Sequence, residues 1–331
     1  MNTKARTNAN SGPNAANNCI IPGSKISADG AIETFGEAVP GLILESVVDP
    51  DHPGHLLLHA WHGHRTTTAR KIEHRGVSYI PKNLASGLVQ SVRFAPPSLP
   101  FGSPAKVISS LRDFLSTYAH LKPEVTDLLV AFALSTWFCD CMPVAPVLYL
   151  LGPDSAVSQV LRLLGCFCRR PVLLGDVDFE GLATLPNRLG ATLLINQRDL
   201  GRRVKRALLA SNRRHFCVVR GRGPLDLYGA KAFSCEDSLT DKHGLTVSVS
   251  PAQDALPLLT DSEEQVSARN LQAKLLRYRM MYCERVRANR IDCSPFVPEM
   301  REEASSWLAP IFDCRELSKS DRKSTRLNSS H

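Results

Sequence analysis

The sequence has no long apolar run, which excludes the simplest forms of membrane attachment. No stretch of about eighteen uncharged apolar residues occurs, so there is no candidate for a membrane-spanning helix. The first residues, MNTKARTNANSGPNAANN, also lack the apolar segment that a signal peptide needs. We therefore expect a cytoplasmic protein that does not bind a membrane.

The cysteines lack the pattern of a disulfide framework. There are ten among 331 residues, with no Cys-x-x-Cys and two Cys-x-Cys pairs, Cys139/Cys141 and Cys166/Cys168. Cysteines scattered through a large cytoplasmic chain are usually reduced. The sequence therefore predicts thiols that are mostly buried rather than disulfide-bonded.

The composition is that of a globular protein with a mild excess of positive charge. Hydrophobic residues make up 43% of the chain, enough for the core of one large domain and a small one. The formal net charge is +8 and the isoelectric point is near 9.0. These values favour a partner that carries phosphates, such as DNA. The preference is weak, because the basic residues are spread along the chain rather than gathered in one block.

Four segments of the chain differ in composition. Residues 1–24 have almost no large apolar side chains, which predicts a disordered leader. Residues 25–100 predict a small β domain that ends in a segment dense in proline and glycine. Residues 101–315 predict an α/β domain, and residues 316–331 a disordered tail. The tail ends in KSTRLNSSH, which resembles the translated read-through of a sequencing adapter, so the residues from about 322 onward are interpreted as adapter-derived.

The predicted β domain carries the strand patterns GLILESVV, HLLLHAW, TTTARKIEH and VSYIP, separated by turn residues. They predict a small antiparallel unit that ends near Pro81. Six of the ten histidines lie here: His52, His55, His59, His62, His64 and His74. Alternate residues of a strand share a face and imidazole binds Zn²⁺, but no acidic or cysteine ligand accompanies them in a recognised spacing. We therefore predict ordinary turn and strand histidines and no metal site.

Strand and helix patterns alternate from residue 145 to residue 290, which predicts an α/β fold with a mostly parallel sheet and flanking helices. Before this region, PEVTDLLVAFALSTWFCD is apolar nearly all round and predicts a buried helix. Within it, HFCVVR and LYGAKAF predict a strand pair, and VSARNLQAKLLRYRMMYCERVRA predicts a long helix.

The stretch Ala145–Leu164, APVLYLLGPDSAVSQVLRLL, has the local pattern of a phosphate-binding loop: an apolar strand, a Gly-Pro turn and an amphipathic helix. A working loop ends in glycine, lysine and Ser/Thr, and these positions hold Val157, Ser158 and Gln159. The candidate nucleotide-binding residues of this degenerate loop are Gly152, Pro153, Asp154, Ser155, Ala156, Val157, Ser158 and Gln159. The stretch therefore predicts a nucleotide-binding fold that has lost its nucleotide chemistry.

A second apolar strand, ATLLINQRDL, ends in Asn196 and Gln197. In P-loop proteins the corresponding strand ends in acids that hold Mg²⁺ and polarise water, and here each position holds an amide. We predict that this strand lies in one parallel sheet with the strand ending near Leu151, and that Asn196 lies near the Gly152 loop. The basic segment that follows, RDLGRRVKRALLASNRR, is compatible with DNA contact or with a solvated basic helix face.

Four segments taken together carry a family resemblance: TWFCDCMPVAPVLYLLGPDSAVSQVLRLLGCFCRRPVLLGD, ATLLINQRDL, YGAKAFSCEDSLTDKHGLTVSV and LQAKLLRYR. In this order they resemble the helicase-like P-loop ATPases of phages, plasmids and integrated elements, which often follow a primase module. The resemblance spans about residues 107–290. It implies a RecA/AAA+-like P-loop sheet that acts on DNA, often as a ring, with ATP and Mg²⁺ as ancestral cofactors. The sensor-like candidates it implies are Lys231, in a Gly-x-Lys that begins at Gly229, and Lys242.

Two functional interpretations follow. The first is a catalytically inactive P-loop NTPase-like protein, related to mobile-element helicases and primases. It would be an interaction or regulatory subunit in DNA replication, as an oligomer or with an active paralogue. The alternative is an active DNA-dependent ATPase or helicase with non-standard catalytic residues. The first is favoured because the loop lysine and both strand-end acids are missing together. A third interpretation, a chance Gly-Pro turn, is disfavoured by the second strand.

Overall fold

The computed structural model describes residues 25–52, 54–214, 216–220, 223–235, 244–251, 256–289 and 291–311. The predicted leader and tail, and the candidate Lys242, lie outside these residues. Within them, no helix combines the length and the apolar character needed to cross a membrane.

The amino-terminal β unit consists of two four-stranded sheets. Its strands are β1 (Lys25–Ile26), β2 (Ile32–Thr34), β3 (Gly36–Val39), β4 (Leu42–Val48), β5 (Leu56–Trp61), β6 (Thr66–Ala69), β7 (Ile72–His74) and β8 (Val77–Pro81). The sheet β3-β4-β5-β6 is antiparallel throughout, whereas in the sheet β1-β2-β8-β7 strands β2 and β8 are parallel. The predicted antiparallel unit is therefore present in part, because β2 and β8 are distant in sequence and no hairpin constrains their direction.

Three helices precede the main sheet: α1 (Ser86–Ser91), α2 (Pro104–Tyr118) and α3 (Pro123–Thr136). The α2 helix begins with proline in its first turn, and the side chain of Ser103 caps it by accepting from the amide of Lys106. In α3, nine of fourteen residues are buried, which agrees with the apolar character of its sequence. The two helices pack on the main core.

The remaining elements form the α/β part. They are β9 (Val147–Leu151), α4 (Asp154–Phe167), β10 (Pro171–Leu174), α5 (Phe179–Leu182), β11 (Thr192–Ile195), α6 (Arg202–Ala210), β12 (Val218–Arg220), β13 (Gly223–Leu225), β14 (Lys231–Cys235), β15 (Leu245–Ser248), α7 (Asp261–Ala288) and α8 (Arg301–Leu308). Five strands form a parallel sheet in the order β10-β11-β14-β9-β15. The prediction of an α/β fold with a parallel sheet and flanking helices is confirmed.

The prediction that HFCVVR and LYGAKAF pair with each other is wrong. Strand β12 pairs with β13 in a short antiparallel hairpin, and β14 lies in the main sheet between β9 and β11. All five residues of β14 are buried, so this strand needs cover on both faces. In contrast, Val219 of β12 is 70% exposed, as expected for a hairpin at the surface.

The β unit and the α/β part share one hydrophobic core. Ile43 and Val47 of β4 belong to the same cluster as α2, α3, α4 and α7. A second cluster covers the other face of the sheet and includes Tyr149 and Phe233, whose rings stack. The sheet is thus covered on both faces, as a parallel sheet requires.

The cysteines of the described residues are free thiols, and most of them are buried. Burial raises the pKa of Cys139 to about 12 and that of Cys166 to about 12. Thiols with such pKa values are poor nucleophiles at neutral pH. These cysteines therefore contribute to packing.

Candidate functional site

The turn between β9 and α4 contains only Gly152 and Pro153. The helix begins at Asp154, and the amide of Val157 already donates to the carbonyl of Pro153 at 3.0 Å. Residues 154–157, which would form the loop around a phosphate, are thus wound into the first turn of α4. The backbone here has the conformation of a helix rather than of a phosphate-binding loop.

Gly152 is required for packing. A Cβ atom at this position would collide with the carbonyl oxygen of Val249 and would lie 2.9 Å from its Cγ2 atom. The amide of Val249 also donates to the carbonyl of Leu151 at 2.8 Å, which holds the end of β15 against this turn. The glycine of the motif therefore has a structural explanation that involves no nucleotide.

The side chains at the three positions where a working loop has glycine, lysine and Ser/Thr all contact other parts of the protein. Val157 is fully buried in the main core. Ser158 Oγ accepts a hydrogen bond from Asn196 Nδ2 at 2.7 Å. Gln159 Nε2 donates to the carbonyl of Tyr118 on α2. None of the three side chains is directed to a phosphate position in this arrangement.

Asn196 and Gln197 follow β11 at the carboxyl edge of the sheet, the edge at which β9 meets Gly152. The prediction that β9 and β11 lie in one parallel sheet is confirmed, with β14 between them. Asn196 reaches α4 through Ser158, whereas Gln197 Oε1 accepts from the amide of Val177 at 2.9 Å. The two amides therefore point to different elements and do not form a paired site.

Arg198 is a residue of this edge that the sequence motifs do not indicate. Its Nε lies 2.5 Å from Oδ1 of Asp154, and its Nη2 donates to the carbonyl of Gly152 at 2.8 Å. Asp154 is in the first turn of α4, where a carboxylate interacts favourably with the amino end of the helix dipole. The carboxylate of Asp154 thus lies where a bound anion would be stabilised by the amino end of the helix. Arg198 forms an ion pair with this carboxylate. The only sequence signal was the location of Arg198 directly after the strand-end amides.

Lys231 lies far from this edge. It is the first residue of β14, paired with Val147 at the start of β9, so it is at the amino edge of the sheet. Its side chain is fully buried and Nζ donates to the carbonyl of Gly229 at 2.9 Å. Burial lowers its pKa to about 8. The structure therefore places Asn196 next to α4, whereas Lys231 lies at the opposite edge of the sheet from both Asn196 and the Gly152 turn.

The histidines of the β unit do not form a cluster with metal-ligand geometry. His59 is buried, with Nδ1 2.6 Å from Thr68 Oγ1 and Nε2 2.8 Å from Ser98 Oγ. Burial and the nearby charge of Arg277 lower its pKa to about 4, so it is neutral at neutral pH. Across the described part of the chain, no group of three or more His, Cys, Asp or Glu side chains is arranged to hold a metal ion.

The basic segment after β11 forms a two-sided helix. Val204, Ala207 and Leu208 of α6 are buried, and the opposite face carries exposed Arg202, Arg203 and Arg206. The hairpin β12/β13 follows α6 in the chain. Before and within it, Phe216 is 61% and Val219 is 70% exposed. Helix α6 therefore exposes positive charge, and the chain that follows it exposes apolar side chains.

A buried ionic cluster joins the β unit to the α/β part. Glu45 of β4 receives two hydrogen bonds from Arg169, at 3.0 and 2.7 Å, and also contacts Arg170 and Arg279. Arg279 in turn donates to Asp140. Burial alone would raise the pKa of Glu45, but the three guanidinium groups outweigh burial and lower it. Glu45 is therefore ionised and holds three cations together.

The fold and this edge define a mixed α/β protein with a parallel five-stranded sheet and a closed strand-helix turn. No family model matches the sequence, and no curated protein matches it. Among solved structures, the A form apo structure of the NrS-1 C terminal region is 11% identical with a TM-score of 0.35, over 81% of this chain and 72% of that chain. A full-length MCM homolog from Methanopyrus kandleri is 15% identical with a TM-score of 0.37, over 81% of this chain and 72% of that chain. Likenesses this weak carry no conclusion about fold or function.

Proposed function

We propose that this chain is a RecA/AAA+-like P-loop protein that no longer hydrolyses nucleotide. In this proposal it is related to mobile-element DNA helicases and primases and acts as an interaction or regulatory subunit in DNA replication. The main support for the loss of activity is the hydrogen bond from Asn196 to Ser158, a residue of the helix that begins at Asp154. This bond occupies the two side chains that would have to face Mg²⁺ and phosphate.

The P-loop part of the proposal is supported by the position of the two motifs. Ligands of open α/β sheets bind at the carboxyl edge of the strands, and both Gly152 and Asn196 lie at that edge. The family resemblance of the sequence covers the same segments in the same order. In this interpretation the carboxyl edge of the sheet is a former nucleotide site.

ATP and Mg²⁺ do not fit the residues now present. Mg²⁺ prefers carboxylate oxygens and water, but the strand end supplies the amides of Asn196 and Gln197. The amino end of α4 is already paired with a carboxylate and an arginine, Asp154 and Arg198. A nucleotide would have to displace this ion pair and unwind the helix. No step of a hydrolytic mechanism can be assigned to these side chains.

DNA is the proposed partner. The exposed face of α6 carries Arg202, Arg203 and Arg206, and the first turn of this helix contains no acidic residue. Arginine side chains on one helix face suit contacts with phosphates and give no base specificity by themselves. Phe216 and Val219 nearby in the chain add exposed apolar surface that can contact bases or sugars.

The test is an ATPase assay with Mg²⁺, with and without single- and double-stranded DNA, on protein whose DNA binding is measured in parallel. We expect salt-dependent DNA binding without measurable turnover, because the phosphate, metal and water positions are lost together. DNA-stimulated turnover that is abolished by Arg198→Ala or Lys242→Ala would instead establish the active ATPase alternative. Arg65→Ala is the control, since Arg65 is an exposed residue of the β unit.

A further inference from the structure

A cavity of about 400 Å³ lies at the amino edge of the parallel sheet, opposite the edge that contains Gly152. Its lining comes from four segments that lead into strands: Asp140 before β9, Arg169 and Arg170 before β10, Arg188 and Gly190 before β11, and Asp226 and Tyr228 before β14. Strand β3 adds Glu37, and the end of α7 adds Arg287. Pockets of this size hold small organic ligands.

Positive charge predominates in the lining. Among the described residues that line it, five arginines face three carboxylates: Arg169, Arg170, Arg188, Arg214 and Arg287 against Glu37, Asp140 and Asp226. Arg279 and Glu45 lie behind the wall and add one charge of each sign. The cavity therefore has an excess of two positive charges when its acids are ionised. A low-dielectric concave wall concentrates this field on its interior.

The arginines form a floor and a rim. Arg169 and Arg170 are buried, and the ion pairs with Glu45 fix their guanidinium groups. Arg188, Arg214 and Arg287 are exposed at the mouth. Most of the guanidinium donors of Arg169 and Arg170 are taken by Glu45 and by backbone carbonyls, so these two arginines supply fixed positive charge. The arginines at the mouth can donate two hydrogen bonds at once to phosphate oxygens.

The backbone of this region is held in an uncommon conformation. Among the described residues, three non-glycine residues have positive φ, and two of them line this cavity: Arg170 at 47° and Arg188 at 64°. Such residues are costly and concentrate at ligand sites, where the surrounding structure fixes them. Gly190 in the same wall also has positive φ, 58°. The fold thus holds two arginines in place at the expense of local backbone energy.

We propose that this cavity binds a phosphate dianion, carried either by a free small molecule or by the end of a nucleic-acid strand. A dianion matches the excess of two positive charges. The cavity is larger than a phosphate group, and Phe216 and Tyr228 supply aromatic surface for the group that carries it. The proposal does not depend on the former nucleotide site at the Gly152 edge, with which the cavity shares no residue; Phe216 is the residue it has in common with the proposed DNA surface.

The test is calorimetric titration of the full chain with sodium pyrophosphate in a phosphate-free buffer. We expect saturable binding that Arg214→Gln weakens about tenfold, since one charge-assisted contact is lost. Glu37→Gln should strengthen binding severalfold, because it removes a negative charge from the wall. Arg65→Gln, on the β unit away from the cavity, should leave it unchanged. Thermal unfolding of each variant checks that the fold is retained.

Competition then identifies the source of the phosphate. An oligonucleotide with a 5′-phosphate that displaces pyrophosphate, while its 5′-hydroxyl counterpart does not, assigns the site to strand ends. Displacement by adenosine monophosphate alone assigns it to small molecules. The proposal is overturned if folded wild-type protein shows no saturable binding, if Arg65→Gln weakens binding as much as Arg214→Gln does, or if the 5′-hydroxyl oligonucleotide competes equally.

Discussion

His59 is an ionisable side chain that the fold buries between two hydroxyl groups. Both ring nitrogens are within hydrogen-bond distance of a hydroxyl oxygen, on Thr68 and Ser98. The neutral imidazole can serve one as donor and the other as acceptor, whereas the imidazolium would be a buried cation. Protonation is therefore unfavourable in the folded state, where the pKa is about 4.

We predict that acid weakens the fold through His59. Its folded pKa is below its unfolded value, so its contribution is fully present above about pH 6.5 and is lost as the pH falls towards 4. Between about pH 7.5 and pH 4.5 the loss should be about 2–3 kcal/mol. Urea unfolding at both pH values, with His59→Gln as the comparison, measures it. An equal loss of stability in both proteins would show that His59 is not responsible.

Features of single residues could be predicted from the sequence where they depend only on the residue type. The mismatch of Val157, Ser158 and Gln159 with a working loop is evident from the sequence alone. The partners of these residues were not, because Tyr118 is 41 residues away from Gln159, and Asn196 is 38 residues away from Ser158. A single sequence contains no signal for such long-range pairs.

The junction of β9, α4 and β15 depends on one glycine. Since a side chain at Gly152 would collide with the backbone of Val249, we predict that Gly152→Ala destabilises the protein by at least about 2 kcal/mol. The reason is packing, so the loss should appear in nucleotide-free protein.

Chemical unfolding of Gly152→Ala and of a matched control tests this prediction. Gly175 follows β10 at the same edge of the sheet, and a Cβ atom there would meet nothing within 4 Å. Gly175→Ala should therefore be nearly neutral. Equal stability of the two variants would contradict the packing role of Gly152.

Elements bounded by strong local signals were predictable. The strand before Gly152, the helix after it and the strand ending at Ile195 are apolar segments with clear limits, and all three are present. Strand pairing was less predictable: β14 resembles a hairpin partner in sequence, but its burial on both faces places it in the main sheet. The arginine-lined cavity could not be predicted, because segments far apart in sequence supply its wall.

The molecule as a whole is joined by the ionic cluster around Glu45. This carboxylate from the β unit forms ion pairs with Arg169, Arg170 and Arg279 of the α/β part, all of them buried. Removal of one member of a buried cluster leaves the remaining charges without a partner. The resulting loss of folding free energy is larger than the net stabilisation that the intact cluster provides. The two parts of the chain should therefore lose stability together.

We predict that Glu45→Gln lowers the free energy of unfolding by about 3–5 kcal/mol. Glutamine keeps the shape and removes the charge, so the measurement isolates electrostatics. Glu284→Gln, at an exposed position of α7, is the control and should change stability by less than about 1 kcal/mol. Urea unfolding monitored by circular dichroism and by tryptophan fluorescence measures both. A Glu45→Gln protein as stable as the control would mean that the arginines find other compensation.

The first turn of α4 has a consequence for any attempt to revive the nucleotide site. The amide of Val157 is bound to Pro153, and Val157 itself is buried, so an open loop exists only in molecules that have unwound this turn. The apparent affinity for a nucleotide would be the affinity of the open loop multiplied by the small fraction of such molecules. Unwinding of this helical turn and binding of a nucleotide are then thermodynamically coupled. Substitutions that strengthen the helix should weaken binding, and any affinity gained from restored motif residues is reduced by the same fraction.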